Sequence, residues 1–148
     1  MSANLGKRKL IAAMAAVAAA TVLGACTSMG QMANTQTLTL SGAGEVPAVT
    51  TSASGTAAVT INPDRSVVVK VNVTGMTATA SHIHEGAAGT NGPVIVPFTK
   101  TGDNAFASSD GAKLTESQYA SYKAGNLYVN VHSAAHPGGE IRAQIKGG

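Results

Sequence analysis

From Gln36 onward, apolar and polar residues alternate with a period of two. Leu38 and Leu40 interleave with Thr37 and Thr39, and Ala57, Val59 and Ile61 repeat at every second position. Val67, Val69, Val71 and Val73 do the same, with Lys70 and Asn72 between them. Successive side chains of an extended strand face opposite ways, so each run predicts a strand with one buried face. Asn62-Pro63-Asp64-Arg65 separates the second run from the third and carries turn chemistry, which predicts a hairpin. TASHIHEG, the stretch Pro93 to Phe98, NLYVNVHS and GEIRAQIKG read as further strands, and GAAGTNG as a Gly-rich loop.

One segment has a different period. LTESQYASYKAGN offers Thr115 or Ser117 as an N-cap and Gly125 as a stop, predicting a short helix over about Glu116 to Lys123. Seven or eight short strands with turn signals between them predict an all-β fold, an antiparallel Greek-key β-sandwich or barrel with that one helix. Tryptophan is absent, so the expected core is Val, Ile, Leu and Ala.

The first 25 residues follow other rules. Lys7, Arg8 and Lys9 precede an apolar run from Leu10 to Ala25. The run is shorter than the ~20 residues a membrane-spanning helix needs and reads as a signal peptide. Leu23-Gly24-Ala25-Cys26 resembles a bacterial lipobox, and Cys26 is the only cysteine in the chain. The resemblance implies cleavage before Cys26 and acylation of its sulfur and new amino group, enough lipid for stable anchoring. Thr27 follows where an inner-membrane retention signal would place aspartate, which favours the outer membrane. Residues 26–35 then form a small, polar lipidated tether, and residues 36–148 the folded domain. Met29 and Met32 lie in the tether; thioethers suit Cu(I), but two in a tether are more simply linker.

This reading changes the charge. The formal net charge is +3, but Lys7, Arg8 and Lys9 supply all of it. Residues 26–148 are neutral, so no basic surface remains for nucleic acid. With Cys26 acylated there is no disulfide, and the fold rests on its core, or on a core plus metal.

The chain has four histidines, and they fall in two clusters. In SHIHEG, Ile83 should face the core, leaving His82 and His84 together on the outward face, about 6.6 Å apart along the strand. In LYVNVHSAAHPGGEIRAQI, Val129 and Val131 should face in and Tyr128, Asn130 and His132 out. Glu140, Arg142 and Gln144 should face out on the following strand, with His136 in the loop. If the two strands are neighbours, His82, His84 and His132 form a three-imidazole site suited to Zn(II) or Cu(II). His136 or water would be a fourth ligand, and Glu85 and Glu140 would orient ring nitrogens. The competing reading is a surface hydrogen-bond network with no ion.

HIHEGAAGTNGPVIVPF followed by VNVHSAAHPGGEIRAQI resembles the CHRD domain, with His132-Ser133 and His136-Pro137-Gly138-Gly139-Glu140-Ile141-Arg142 as the more specific half. The match runs from about Leu38 to Lys146, with Ala143 where the family often has glycine. The resemblance implies an extracytoplasmic β-sandwich and little about activity; it leaves Glu140 and Arg142 as a structural pair or part of a site. His82-Ile83-His84-Glu85 is more weakly similar to copper/zinc superoxide dismutase. That enzyme needs a copper site and a zinc site, and here no histidine lies between Glu85 and Val131.

Three functions follow as expectations. The first is an envelope-anchored, non-enzymatic module that binds an envelope protein or glycan or serves structure, with a copper or zinc site on the histidines. The second is a dedicated periplasmic copper- or zinc-sequestering protein. The third, least favoured, is a metal-dependent enzyme. Ser133 beside His132 points to the opposite face of a strand and makes a poor dyad. Glu85 and Glu140 have the chemistry for acid–base work, but no pattern in the sequence defines a substrate pocket.

Overall fold

The structure is a computed structural model that describes residues 35–148. The expected signal peptide at 1–25, the expected acylation of Cys26 and the expected tether as far as residue 34 lie outside the described residues. Thr35 already belongs to the first strand.

Eight strands follow in chain order: β1 (Thr35–Ser41), β2 (Ser54–Ile61), β3 (Val67–Thr74), β4 (Ala78–Glu85), β5 (Val94–Gly102), β6 (Ala105–Ser108), β7 (Leu127–Ser133) and β8 (Ile141–Ile145). Helix α1 (Glu116–Lys123) lies between β6 and β7. The strands close into a barrel in the order β1-β2-β3-β6-β5-β4-β7-β8. Every neighbouring pair is antiparallel. Strands β4, β5 and β6 form a meander and β7 returns beside β4, a Greek key. The expected all-β Greek-key architecture is therefore the one observed, in its barrel form.

The period-two residues line the interior. Leu38, Leu40, Ala57, Val59, Ile61 and the four alternate valines of β3 are all buried. Ile83, Leu127, Val129, Ile141 and Ile145 meet them from the opposite wall. A fully buried side chain of this size contributes ~1.5–3 kcal/mol, so the aliphatic lining carries the fold without tryptophan.

Local signals act where the sequence placed them. Asn62 N–H donates to the Ser66 carbonyl, and Arg65 turns the chain with φ of +71° between β2 and β3. Thr115, rather than Ser117, caps α1: its hydroxyl accepts from Gln118 N–H, and the Gln118 side chain accepts from Thr115 N–H. Gly125 then adopts φ of +75° and ends the helix. The final stitch of the barrel is unusual. β1 and β8 share a single paired position, Ser41 opposite Arg142. Further along, the Gln36 side-chain amide takes the place of a peptide: it donates to the Lys146 carbonyl at 2.8 Å and accepts from Lys146 N–H at 3.0 Å.

Candidate metal centre

Strands β4 and β7 are direct neighbours, and their register sets the histidines. His82 lies opposite Asn130, His84 opposite Tyr128 and His132 opposite Ala80. Ser81 and Ile83 face the core, where the Ser81 hydroxyl donates to the Asn130 carbonyl at 2.9 Å. His82, His84 and His132 share the outer face. Ring centroids are 5.5 Å apart for His82–His84, 4.9 Å for His82–His132 and 5.9 Å for His84–His132. One ring nitrogen from each of the three lies within 4.8 Å of the others.

This outer face is covered, and all seven residues of β7 are buried. The cover is built from the irregular segments between strands. Pro137, in the loop before β8, accepts from His132 Nδ1 at 2.9 Å. Gly92, in the loop before β5, accepts from His84 Nδ1 at 2.9 Å, and its own N–H donates to the Tyr128 hydroxyl at 3.1 Å. Glu45, in the loop after β1, accepts from Asn130 Nδ2 at 2.8 Å.

The sequence of residues 36–145 matches the model of the CHRD domain family. The chain belongs to that family. Comparisons with curated proteins and with solved structures returned no significant match.

In this CHRD domain the two carbonyls fix the histidine tautomers. A carbonyl oxygen only accepts, so His84 and His132 each carry their proton on Nδ1 and leave Nε2 as a bare lone pair. His132 Nε2 accepts from His82 Nδ1, 3.1 Å away. His84 Nε2 is buried with no hydrogen-bond partner among the described residues. A buried acceptor left without a donor is costly, and such an atom calls for an explanation. Burial pushes the pKa of all three rings below the ordinary histidine value. His82 falls to about 4 because burial and then the neighbouring His132 and His84 all oppose its charge. At neutral pH the rings are uncharged, the state in which imidazole binds metal.

The remaining site residues occupy defined places. Arg142 lies with its guanidinium 3.4 Å from the Tyr128 ring centroid, and Tyr128 stacks on His84 at 4.9 Å with 7° between the planes. Arg142 donates to Asn91 Oδ1 and to the Ala87 and Gln144 oxygens. Asn130 sits between His82 and Arg142 in the register and anchors Glu45. The carboxylates do not take the orienting role expected of them. Glu85 accepts from Ser121 of α1 at 2.5 Å. Glu140 accepts from Thr51 at 2.6 Å and from Ser133, and those hydroxyls hold its carboxyl below the ordinary value. Backbone carbonyls orient the imidazoles instead, because the loops that supply them lie directly against the rings. His136 stays outside the three-nitrogen cluster, and its backbone N–H donates to the Ser133 hydroxyl.

Glu45 and Asn91 carry no signal in the sequence, since both lie in aperiodic Gly- and Pro-containing segments. Tyr128 is legible only as an outward position on the strand that bears His132.

Proposed function

We propose that this CHRD domain is a non-enzymatic metal-binding module of the cell envelope, holding copper or zinc on His82, His84 and His132, and anchored through acylated Cys26. The observation that carries the reading is the unpartnered, buried Nε2 of His84, on a ring that belongs to a set of three histidines each bringing one nitrogen within 4.8 Å of the others. Metal–imidazole bonds of ~2.0–2.1 Å separate ligand nitrogens by about 3.3–3.6 Å, so a modest contraction completes the set. His84 and His132 offer Nε2. His82 offers Nδ1 once its hydrogen bond to His132 is broken and its proton moves to Nε2. His82 is the least buried of the three and is therefore the ring free to make that change.

The test is calorimetric titration of the metal-stripped protein with Cu(II), Zn(II) and, anaerobically, Cu(I), using Cys26→Ser so that a free thiol does not compete. One equivalent binding at micromolar Kd or tighter, lost in His84→Ala and His132→Ala, supports the site. No binding by a folded protein refutes it. Mass spectrometry of the protein from its cells tests the anchor: a diacylglyceryl-cysteine N-terminus at Cys26 supports it, and an unmodified Cys26 refutes it.

A further inference from the structure

We propose that the three-histidine site selects its ion by charge, preferring Cu(I) to Cu(II) and Zn(II), and that Arg142 is the positioning residue that sets this preference. The inference rests on the metal-site reading above and adds to it an oxidation state and a residue responsible.

The first argument is the charge of the ligands. All three candidates are imidazoles, and no carboxylate joins the cluster. The carboxylates of the surrounding segments are committed elsewhere: Glu45 to Asn130, Glu85 to Ser121, and Glu140 to Thr51 and Ser133. An ion seated here keeps its full charge in a site where two of the three rings are buried. The cost of desolvating an ion grows steeply with charge, which disfavours the dication more than the monocation.

The second argument is a fixed positive charge behind the site. Arg142 is 3 % exposed, and its guanidinium, Tyr128 and His84 form one continuous stack. The hydrogen-bond partners of the guanidinium are the neutral oxygens of Asn91, Ala87 and Gln144. Among the described residues no carboxylate lies within salt-bridge distance of it; the Glu45 carboxylate is close enough to feel its charge and offsets part of it when ionised. Its charge therefore reaches the ion through two aromatic rings instead of through water. Over roughly 8 Å at an effective dielectric of ~20, one unit charge disfavours Cu(II) relative to Cu(I) by about 30-fold.

The third argument is coordination number. Three imidazoles can complete the coordination of a d10 monocation, whereas Zn(II) held by the same three would need a water as its fourth ligand.

The test uses the full chain carrying Cys26→Ser. Cu(I) affinity is measured anaerobically by competition with bicinchoninate, Cu(II) affinity by competition with nitrilotriacetate, and the copper potential by voltammetry. The expected wild-type result is tighter binding of Cu(I) than of Cu(II), with a potential above that of the aqueous couple. Arg142→Gln should shift the affinity ratio toward Cu(II) by about 30-fold and lower the potential by about 90 mV, since tenfold is 59 mV for one electron. Arg142→Lys, which keeps the charge, should stay nearer to wild type. Tighter binding of Cu(II) or Zn(II) by the wild type overturns the preference while leaving the metal site intact. An unchanged potential in a folded Arg142→Gln overturns the role of Arg142. Should that variant fail to fold, the wild-type ratio alone decides the preference. Absence of all metal binding removes the underlying site as well.

Discussion

Glu45 offers a direct measure of what the covering loop costs. The residue is 7 % exposed, its carboxylate accepts from Asn130, and burial pushes its pKa from the ordinary 4.5 up to about 7, against a smaller opposing pull from Arg142. Below pH 4.5 the folded and unfolded chains both hold the proton. As pH rises, the unfolded chain releases it first, so stability falls until the folded chain releases it near 7. The full loss, reached above that value, is about 3 kcal/mol. Glu45→Gln keeps the acceptor for Asn130 and removes the charge. The metal-free variant should therefore exceed the wild type in stability by up to about 3 kcal/mol at pH 8, with the advantage shrinking to nothing near pH 4. The histidines act in the opposite sense: His82, lowered to about 4, contributes stability that appears as pH rises from 4 to 6.5. That contribution is common to both proteins and cancels in their difference. Urea denaturation followed by circular dichroism at pH 4, 6 and 8 measures the gap. A variant less stable than wild type at pH 8, or a gap that does not change with pH, would refute the reasoning.

Three further substitutions probe the parts that position the site. Ile83→Ala should cost about 2–5 kcal/mol in chemical denaturation, because Ile83 is fully buried between the two ligand positions of β4. Thr115→Ala should cost about 1 kcal/mol by removing the cap of α1, with metal affinity unchanged in the same titration. Gly92→Ala would place a Cβ 1.7 Å from the Glu85 carbonyl, so the loop must move and take with it the oxygen that fixes His84. It should lower thermal stability and abolish metal binding together; a variant that binds as well as wild type would show that the Gly92 carbonyl does not orient the ligand.

The sequence made the inner wall of the barrel legible, and the outer cover much less so. The alternation in β2 and β3 matches the buried positions residue by residue, because each inward side chain meets the same aliphatic interior. The outward positions of His82 and His84 on one strand and of His132 on another were equally legible from the two-residue repeat, whereas the pairing of β4 with β7 that brings them together was not. Strand β6 was not read individually: AFAS is too short to display a period, and its place is set by pairing with β3 and β5. β5 extends to Gly102, beyond the apolar stretch that ends at Phe98, because pairing with β6 holds residues whose side chains remain exposed. Most consequentially, positions expected to face solvent at His84 and His132 are buried. The segments that bury them have no hydrophobic repeat; they are held by single contacts such as Asn130 to Glu45 and Thr51 to Glu140, which pattern analysis does not detect.

The side-chain stitch at Gln36 bears on solubility. A closed barrel presents no unpaired strand edge to other molecules, which protects it from edge-to-edge aggregation. Here that protection along much of the β1–β8 seam depends on one carboxamide bridging to Lys146. Replacing Gln36 with alanine would leave the aliphatic core intact while freeing the amide and carbonyl of Lys146. The chain would then carry two strand margins able to pair with another copy, and its tendency to self-associate would be governed by a residue that contributes nothing to the core.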